Sequence, residues 1–173
     1  MMRRCVPAIG VALACGFIAH ARATNSGPVD KPDAVKRGET MHAQGTFDVN
    51  IIPQPPEGKA EGSTTLGRML IEKKFHGDLE AVSKGQMLTG MAEVKGSGVY
   101  VAIEQVKGTL NGRSGSFILH HLGIMVRGVP QLSVTVAPDS GTGELAGIEG
   151  SMTIIIADGK HAYDFAYTLP KGD

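Results

Sequence analysis

Cysteine is nearly absent from this chain and is confined to its first segment. Cys5 and Cys15 are the two cysteines of 173 residues. The second lies inside the apolar run Val6–Ala19, which two arginines precede and Ala21-Arg22-Ala23 follows. A basic start, an apolar run and small residues at the −3 and −1 positions are the three parts of a secretory signal peptide. We therefore expect cleavage near Ala23, which removes residues 1–23 and leaves the mature chain without disulfide or thiolate chemistry.

A long apolar run and an excess of charge of one sign are also lacking. The apolar run of the signal is shorter than the roughly 20 residues that cross a bilayer of about 30 Å. The chain has 17 basic and 17 acidic side chains, and without the three arginines of the signal the count becomes 14 against 17. These features exclude a membrane span and the basic footprint of a nucleic-acid-binding protein. We expect a bacterial protein that is periplasmic or secreted, with no nucleic-acid partner.

Helical periodicity is missing as well, and turns rich in glycine take its place. Residues 24–40 are polar, contain two prolines and are typical of a flexible tether. Residues 41–170 alternate between β-rich runs and short turns, which predicts one all-β domain. The runs are Ala43–Ile51, Thr64–Phe75, Leu79–Val94, Val99–Leu110, Arg113–Met125, Leu132–Val136, Met152–Ala157 and His161–Leu169. Short connections favour a single antiparallel up-and-down β-barrel of about eight strands, because closure leaves no exposed sheet edge.

The strongest local signal is the pair Asn111-Gly112 between two β runs. It is typical of a type I′ hairpin turn, in which both central residues need a positive φ. A two-residue turn fixes the register, and that register puts seven side chains on one face: Tyr100, Ala102, Glu104, Val106, Phe117, Leu119 and His121. Glu104 then lies diagonally across from His121, within side-chain reach. On an inward face this carboxylate and imidazole would share an apolar lumen, a setting common at functional sites. A purely structural pair, or a surface pair on an outward face, is the alternative.

Aromatic side chains supply a second set of candidate residues. The last predicted strand puts His161, Tyr163, Phe165 and Tyr167 on one face, most simply as core. A buried phenol needs a polar partner, so Tyr163 and Tyr167 are also candidates to line a ligand site. With Tyr100 and Phe117 they form the predicted ligand-binding set.

Other chemistry-bearing patterns are weak. The adjacent His120 and His121 point to opposite faces of a strand, so the pair cannot chelate one metal ion. The glycines at positions 141, 143 and 147 miss the dinucleotide-binding spacing by one residue. No Ser-His-Asp order or nucleophile elbow occurs. We expect neither a metal nor a cofactor.

Three segments resemble the signature of a bacterial domain-of-unknown-function family, number 3224. They are Phe75–Glu80, Glu104–His121 and Ser140–Gly150, which occur in order within Met41–Pro170. The resemblance implies a small antiparallel β-barrel, loosely similar to allene oxide cyclase and dirigent proteins, and brings no established activity. This chain has Ala102–Val106 where the family more often has a Gly-Leu-Glu-Arg-Phe type of run, so the arginine has no counterpart here.

Three functions remain open from the sequence. The first is a binding module for a small, largely apolar molecule. The second is an isomerase- or cyclase-like enzyme, in which Glu104 and His121 would polarise the substrate or move a proton. The third is a structural barrel whose lumen is filled by side chains. The oligomeric state does not follow from the sequence.

Overall fold

The computed structural model describes residues 38–55 and 64–171. The predicted signal peptide and most of the predicted tether lie outside this part. The described residues form strands and turns without a helix, and so contain no helix suited to crossing a membrane. The strands are β1 Met41–Pro53, β2 Thr65–Gly77, β3 Leu79–Met91, β4 Gly98–Leu110, β5 Arg113–Val126, β6 Val129–Val136, β7 Thr142–Gly143, β8 Glu149–Ala157 and β9 Lys160–Thr168.

Eight of these strands close into an up-and-down barrel. From β1 to β6, then β8 and β9, each strand is antiparallel to the next, and β9 returns to pair with β1. The two-residue β7 adds to β5 outside this circuit. The seam between β6 and β8 is the shortest, with the single backbone pair Thr135 and Ser151. The predicted all-β, up-and-down barrel of about eight strands is confirmed.

The turns set the register of the barrel. Asn111 and Gly112 have φ of 47° and 82°, as a type I′ turn requires. A turn of the same kind at Arg127 and Gly128, with φ of 49° and 87°, starts β6 three residues before the predicted Leu132. The sequence did not predict a strand beginning at Val129, because Pro130 lacks the backbone N–H that a strand residue normally donates. Here Pro130 is exposed and lies opposite Met125.

The barrel interior contains two apolar clusters. The larger main cluster includes most of the buried aromatic rings, among them Phe47, Phe75, Phe117, Tyr163, Phe165 and Tyr167. The smaller second cluster consists of Ile71, Met87 and Ala102, with Val49, Met69 and Tyr100 packed on it and only partly buried. The main cluster therefore fills one part of the lumen more completely than the second cluster fills the other.

Candidate functional site

Four polar side chains lie inside the barrel between the two clusters. They are Lys73 on β2, Ser83 on β3, Glu104 on β4 and His121 on β5, all buried. Along β2, Lys73 stands between Ile71 of the second cluster and Phe75 of the main cluster. Alternate residues of a strand face the same side of the sheet. The four polar side chains therefore point inward together with the buried apolar residues two positions away on each strand. We call the four residues the polar tetrad.

Glu104 is the centre of the polar tetrad. Lys73 Nζ donates a hydrogen bond of 2.7 Å to Glu104 Oε2, and Ser83 Oγ donates one of 2.5 Å to Oε1. The ammonium of Lys73 also lies 5.1 Å from the ring centroid of Phe47 and 5.7 Å from that of Phe75. Ring faces attract a cation, and this attraction is stronger away from water. Both oxygens of the carboxylate are thus occupied, and its charge is paired.

His121 is the least satisfied member of the polar tetrad. Its Nε2 lies 3.2 Å from Glu104 Oε2, but the contact lacks the geometry of a hydrogen bond. Among the described residues, Nε2 is the one buried side-chain nitrogen or oxygen without a hydrogen-bond partner. A buried polar atom left without a partner costs about 1–3 kcal/mol. This imidazole is therefore the member of the polar tetrad able to accept a new partner.

The titration of Glu104 follows from its contacts. Burial raises the pKa of this carboxyl group, but the nearby His121, Lys73 and Ser83 outweigh burial and lower the pKa from 4.5 to about 2. Glu104 is therefore a carboxylate near neutral pH and a weak acceptor of protons. Burial and the charge of Glu104 both raise the pKa of Tyr100, so its phenol stays protonated.

Tyr100 forms part of the lumen wall beside the polar tetrad. It lies directly opposite Gly123 in the β4–β5 register. A Cβ atom at position 123 would overlap the Tyr100 ring, so glycine is what lets the ring lie against the neighbouring strand. Tyr100, Met69 and Val49 are only partly buried. Methionine side chains adapt readily to different contacts, so this part of the lumen is suited to an apolar molecule.

The structure brings some of the predicted site residues together and separates others. Tyr100, Glu104 and His121 all face the lumen and lie near one another. Phe117, Tyr163 and Tyr167 belong to the main cluster instead. The ring of Phe117 stacks on Phe165, with centroids 5.6 Å apart.

The two tyrosine hydroxyls of the main cluster already have partners. The backbone N–H of Leu79 donates to Tyr163 Oη at 2.9 Å, and Tyr163 Oη donates to the His76 carbonyl at 3.2 Å. Asn111 Nδ2 donates to Tyr167 Oη at 3.0 Å. These hydroxyls tie the barrel wall to the hairpin turns, which leaves Tyr100 as the tyrosine beside the polar tetrad.

Lys73 and Ser83 are site residues that sequence reasoning missed. Lys73 is followed by a second lysine, and two consecutive lysines are typical of a solvent-exposed segment. The usable signal was the alternation Met69, Ile71, Lys73, Phe75, which puts Lys73 on the apolar face of β2. A charged residue on an apolar face is normally paired when it is buried, so a partner for Glu104 could have been sought there.

A groove lies outside the barrel, on the outer wall of β3, β4 and β5. Its volume is about 710 Å³, and its lining includes Leu88, Val101, Ile103, Gln105, His120 and Leu122. His120 is exposed on this wall whereas His121 is buried, so the two rings face opposite sides as predicted. The groove is thus separate from the polar tetrad, although His121 also contributes to its lining.

Comparisons with known proteins agree on one family. The profile described as "Protein of unknown function (DUF3224)" matches residues 43–167. A crystal structure of a protein with unknown function from the DUF3224 family, from Shewanella oneidensis MR-1, is 47% identical and has a TM-score of 0.73. The match covers 78% of this chain and 100% of that one. A comparison with curated proteins finds no match.

Proposed function

Because the chain belongs to the DUF3224 family, which is defined by sequence and not by activity, we propose a function from its own residues. The barrel is a binding module that holds a small, largely apolar molecule in the lumen between Tyr100 and His121. The observation that carries this proposal is the buried Nε2 of His121, whose contact with Glu104 Oε2 at 3.2 Å lacks good hydrogen-bond geometry and which has no other hydrogen-bond partner among the described residues. A polar atom of the bound molecule supplies that partner.

The chemistry of the surroundings supports a neutral ligand with one polar group. The charge of Glu104 is balanced by Lys73, so this pair leaves no net charge for an ionic ligand. The second cluster supplies aliphatic and thioether side chains, and Tyr100 supplies a ring with a protonated hydroxyl. Ligand sites of this kind are mostly apolar, with a few polar groups that fix orientation.

The two other functions are less well supported. An isomerase or cyclase using Glu104 and His121 needs a base, and a carboxylate with a pKa of about 2 and two donors is a poor one near neutral pH. The partial burial of Val49, Met69 and Tyr100 favours a solvent-accessible end of the lumen over a wholly filled one. Binding without catalysis is the function that accommodates both observations.

The test uses two small probes, cyclohexanone as a hydrogen-bond acceptor and p-cresol as a donor. Each is titrated into the protein while the imidazole 15N resonances are recorded. We expect one of the probes to shift the His121 resonance in a saturable manner. Calorimetric titration, which does not depend on the His121 resonance, should show that His121→Phe abolishes this saturable binding and leaves the fold intact, because phenylalanine removes the imidazole nitrogen and keeps a flat ring.

His120→Phe is the matched control, since it makes the same change on the neighbouring residue of the outer wall. It should leave the affinity unchanged. Loss of binding in His120→Phe with retention in His121→Phe would place the ligand in the outer groove and overturn the proposal. Failure of both probes to shift His121 at saturating concentration would also count against a lumen site.

We further propose that the barrel works outside the cytoplasm, in the periplasm or as a secreted protein. The support is the order of basic, apolar and small residues in positions 1–23. A binding module for apolar molecules in that compartment must fold without disulfides, because no cysteine follows Cys15.

A further inference from the structure

One wall of the barrel exposes a continuous apolar surface. On β2 to β5, the outward side chains near one end of the strands are mostly aliphatic, with Arg68, Gln86 and His120 among them. We call them the outer apolar face: Leu66, Leu70, Leu88, Val99, Val101, Ile103, Leu122 and Ile124. Ile103 is 64% exposed and Leu88 is 56% exposed, so these side chains lie on the surface and are not core residues with a small exposed part.

The strand register makes this surface contiguous. Leu88, Val101 and Leu122 face one another across three neighbouring strands. In the next row Val99 lies opposite Ile124. Directly opposed side chains of an antiparallel pair have Cβ atoms about 5 Å apart, so these two rows form one apolar surface. Arg68 borders it opposite Leu88, and Gln86 and His120 border it opposite Ile103.

The size of the outer apolar face exceeds what a soluble monomer usually shows. The exposed fractions of its eight residues correspond to an apolar area on the order of 700 Å², and the largest patch on a typical monomer is about 300–600 Å². A standard protein–protein interface buries about 800 Å² on each partner. The face together with its polar rim therefore has the area that one stable contact needs.

The wall formed by β1 and β9 is different. His42 Nδ1 lies 2.7 Å from Asp164 Oδ1, and Gln44 Nε2 donates to Asp164 Oδ2 at 3.0 Å. These outward side chains are polar and hydrogen-bonded to one another. The outer wall of β1 and β9 thus differs from that of β2 to β5.

We propose that the outer apolar face is the interface of a homodimer, in which a second copy of this chain packs face to face across a two-fold axis. The strands of the outer apolar face, β2 to β5, are paired on both edges, so a partner at this wall must pack on the face. A two-fold contact joins the same patch on both copies, which buries both apolar faces at once.

The rim of the face favours a second copy over a membrane surface. The rim carries both signs of charge, with Glu72 opposite Lys84 and Asp48 opposite Lys74. In a two-fold dimer, the acidic side chains in the rim of one copy can therefore lie close to the basic side chains in the rim of the other copy. Surfaces that lie on a membrane are rich in basic residues and aromatic anchors, and the described part of this wall has no aromatic side chain.

Sedimentation equilibrium of the protein at roughly 1–100 µM tests the proposal. We expect a dimer, and we expect Ile103→Lys to raise its dissociation constant at least tenfold by placing a charge in the apolar interface. Ile155→Lys is the matched control, because Ile155 is also aliphatic, exposed by 50% and on a strand, but on β8. The control should leave the dimer unchanged.

Leu122→Lys provides a second variant of the same face, and circular dichroism checks that each variant keeps its β structure. The proposal is overturned if the parent protein stays monomeric at the highest concentration. It is also overturned if Ile103→Lys and Leu122→Lys, both folded, dimerise as tightly as Ile155→Lys. Binding of the monomeric parent to vesicles of phosphatidylglycerol would point to a membrane surface instead.

Discussion

Lys73 and Glu104 are 31 positions apart in the sequence, and their Nζ and Oε2 atoms lie 2.7 Å apart inside the barrel. Both side chains are almost completely buried. Such a pair is expensive to remove from water, and it persists only where the two charges and further donors satisfy one another. Ser83 and the rings of Phe47 and Phe75 complete that environment. The pair thus holds a polar layer between two apolar clusters, with His121 Nε2 3.2 Å from Glu104 Oε2.

Breaking the pair from one side should be costly. Lys73→Met leaves the Glu104 carboxylate buried without its cation, and we expect the free energy of unfolding to fall by about 3–5 kcal/mol. Lys74→Met is the control, since Lys74 is the next residue and is exposed, and it should change stability by less than about 0.5 kcal/mol. Urea denaturation of the three proteins at neutral pH measures both changes.

Removing both charges should restore most of this loss. In the double variant Lys73→Met with Glu104→Gln, no charge is buried and the amide oxygen can still accept from Ser83. We expect its stability to lie within about 1 kcal/mol of the parent, because an apolar replacement of a buried ion pair is often neutral. A double variant as unstable as Lys73→Met alone would mean that the charges do not act as a pair.

Acid should destabilise the protein through Glu104. The pKa of this group is about 2 in the folded state and 4.5 in the reference state, so the folded state binds the proton more weakly. Its contribution to stability is present above pH 4.5 and is lost as the pH falls towards 2. The shift corresponds to stability on the order of 3 kcal/mol. Denaturation between pH 6 and 2 should show this slope, and the double variant without either charge should show a smaller one.

The hairpin turn should be sensitive to side-chain branching. Gly112 has a φ of 82°, and a Cβ atom there would meet nothing within 4 Å. The cost of Gly112→Val is therefore backbone strain alone, which we expect to lower stability by about 1–2 kcal/mol. Thr109→Val, in the extended part of the same hairpin, carries no such strain. An equal shift of the thermal midpoint in both variants would contradict the turn argument.

Export is testable by mass. Cleavage after Ala23 would leave Thr24 as the first residue of the mature protein. Intact mass spectrometry of the protein recovered from the periplasm or the culture medium should give that species. Material that keeps Met1 and stays in the cytoplasm would refute the predicted signal peptide.

The hairpin shows how far local information reaches. Asn111-Gly112 sets the register of β4 and β5, and the period of two then puts Tyr100, Glu104, Phe117 and His121 on one shared face. Neither step needs information from outside the hairpin. The structure shows that this face points inward. The start of β6 was wrong because Pro130 masks a strand that begins at Val129. Prolines are tolerated at exposed strand positions, and exposure is not visible in a local pattern.

Sequence alone determined what depends on neighbours along the chain: the all-β class, the turns, and which side chains share a face. Tertiary structure decided what depends on neighbours across the barrel. The alternation of β2 puts Lys73 on an inward face, but it is the pairing of β2 and β4 with the same strand, β3, that brings its ammonium within reach of Glu104. Closure assigned Tyr163 and Tyr167 to the main cluster and left Tyr100 beside the polar tetrad. The physical reason is that the alternation of residues along one strand specifies which way each side chain points. A contact between side chains of two different strands also depends on the distance between those strands, which the pairing of the whole sheet sets.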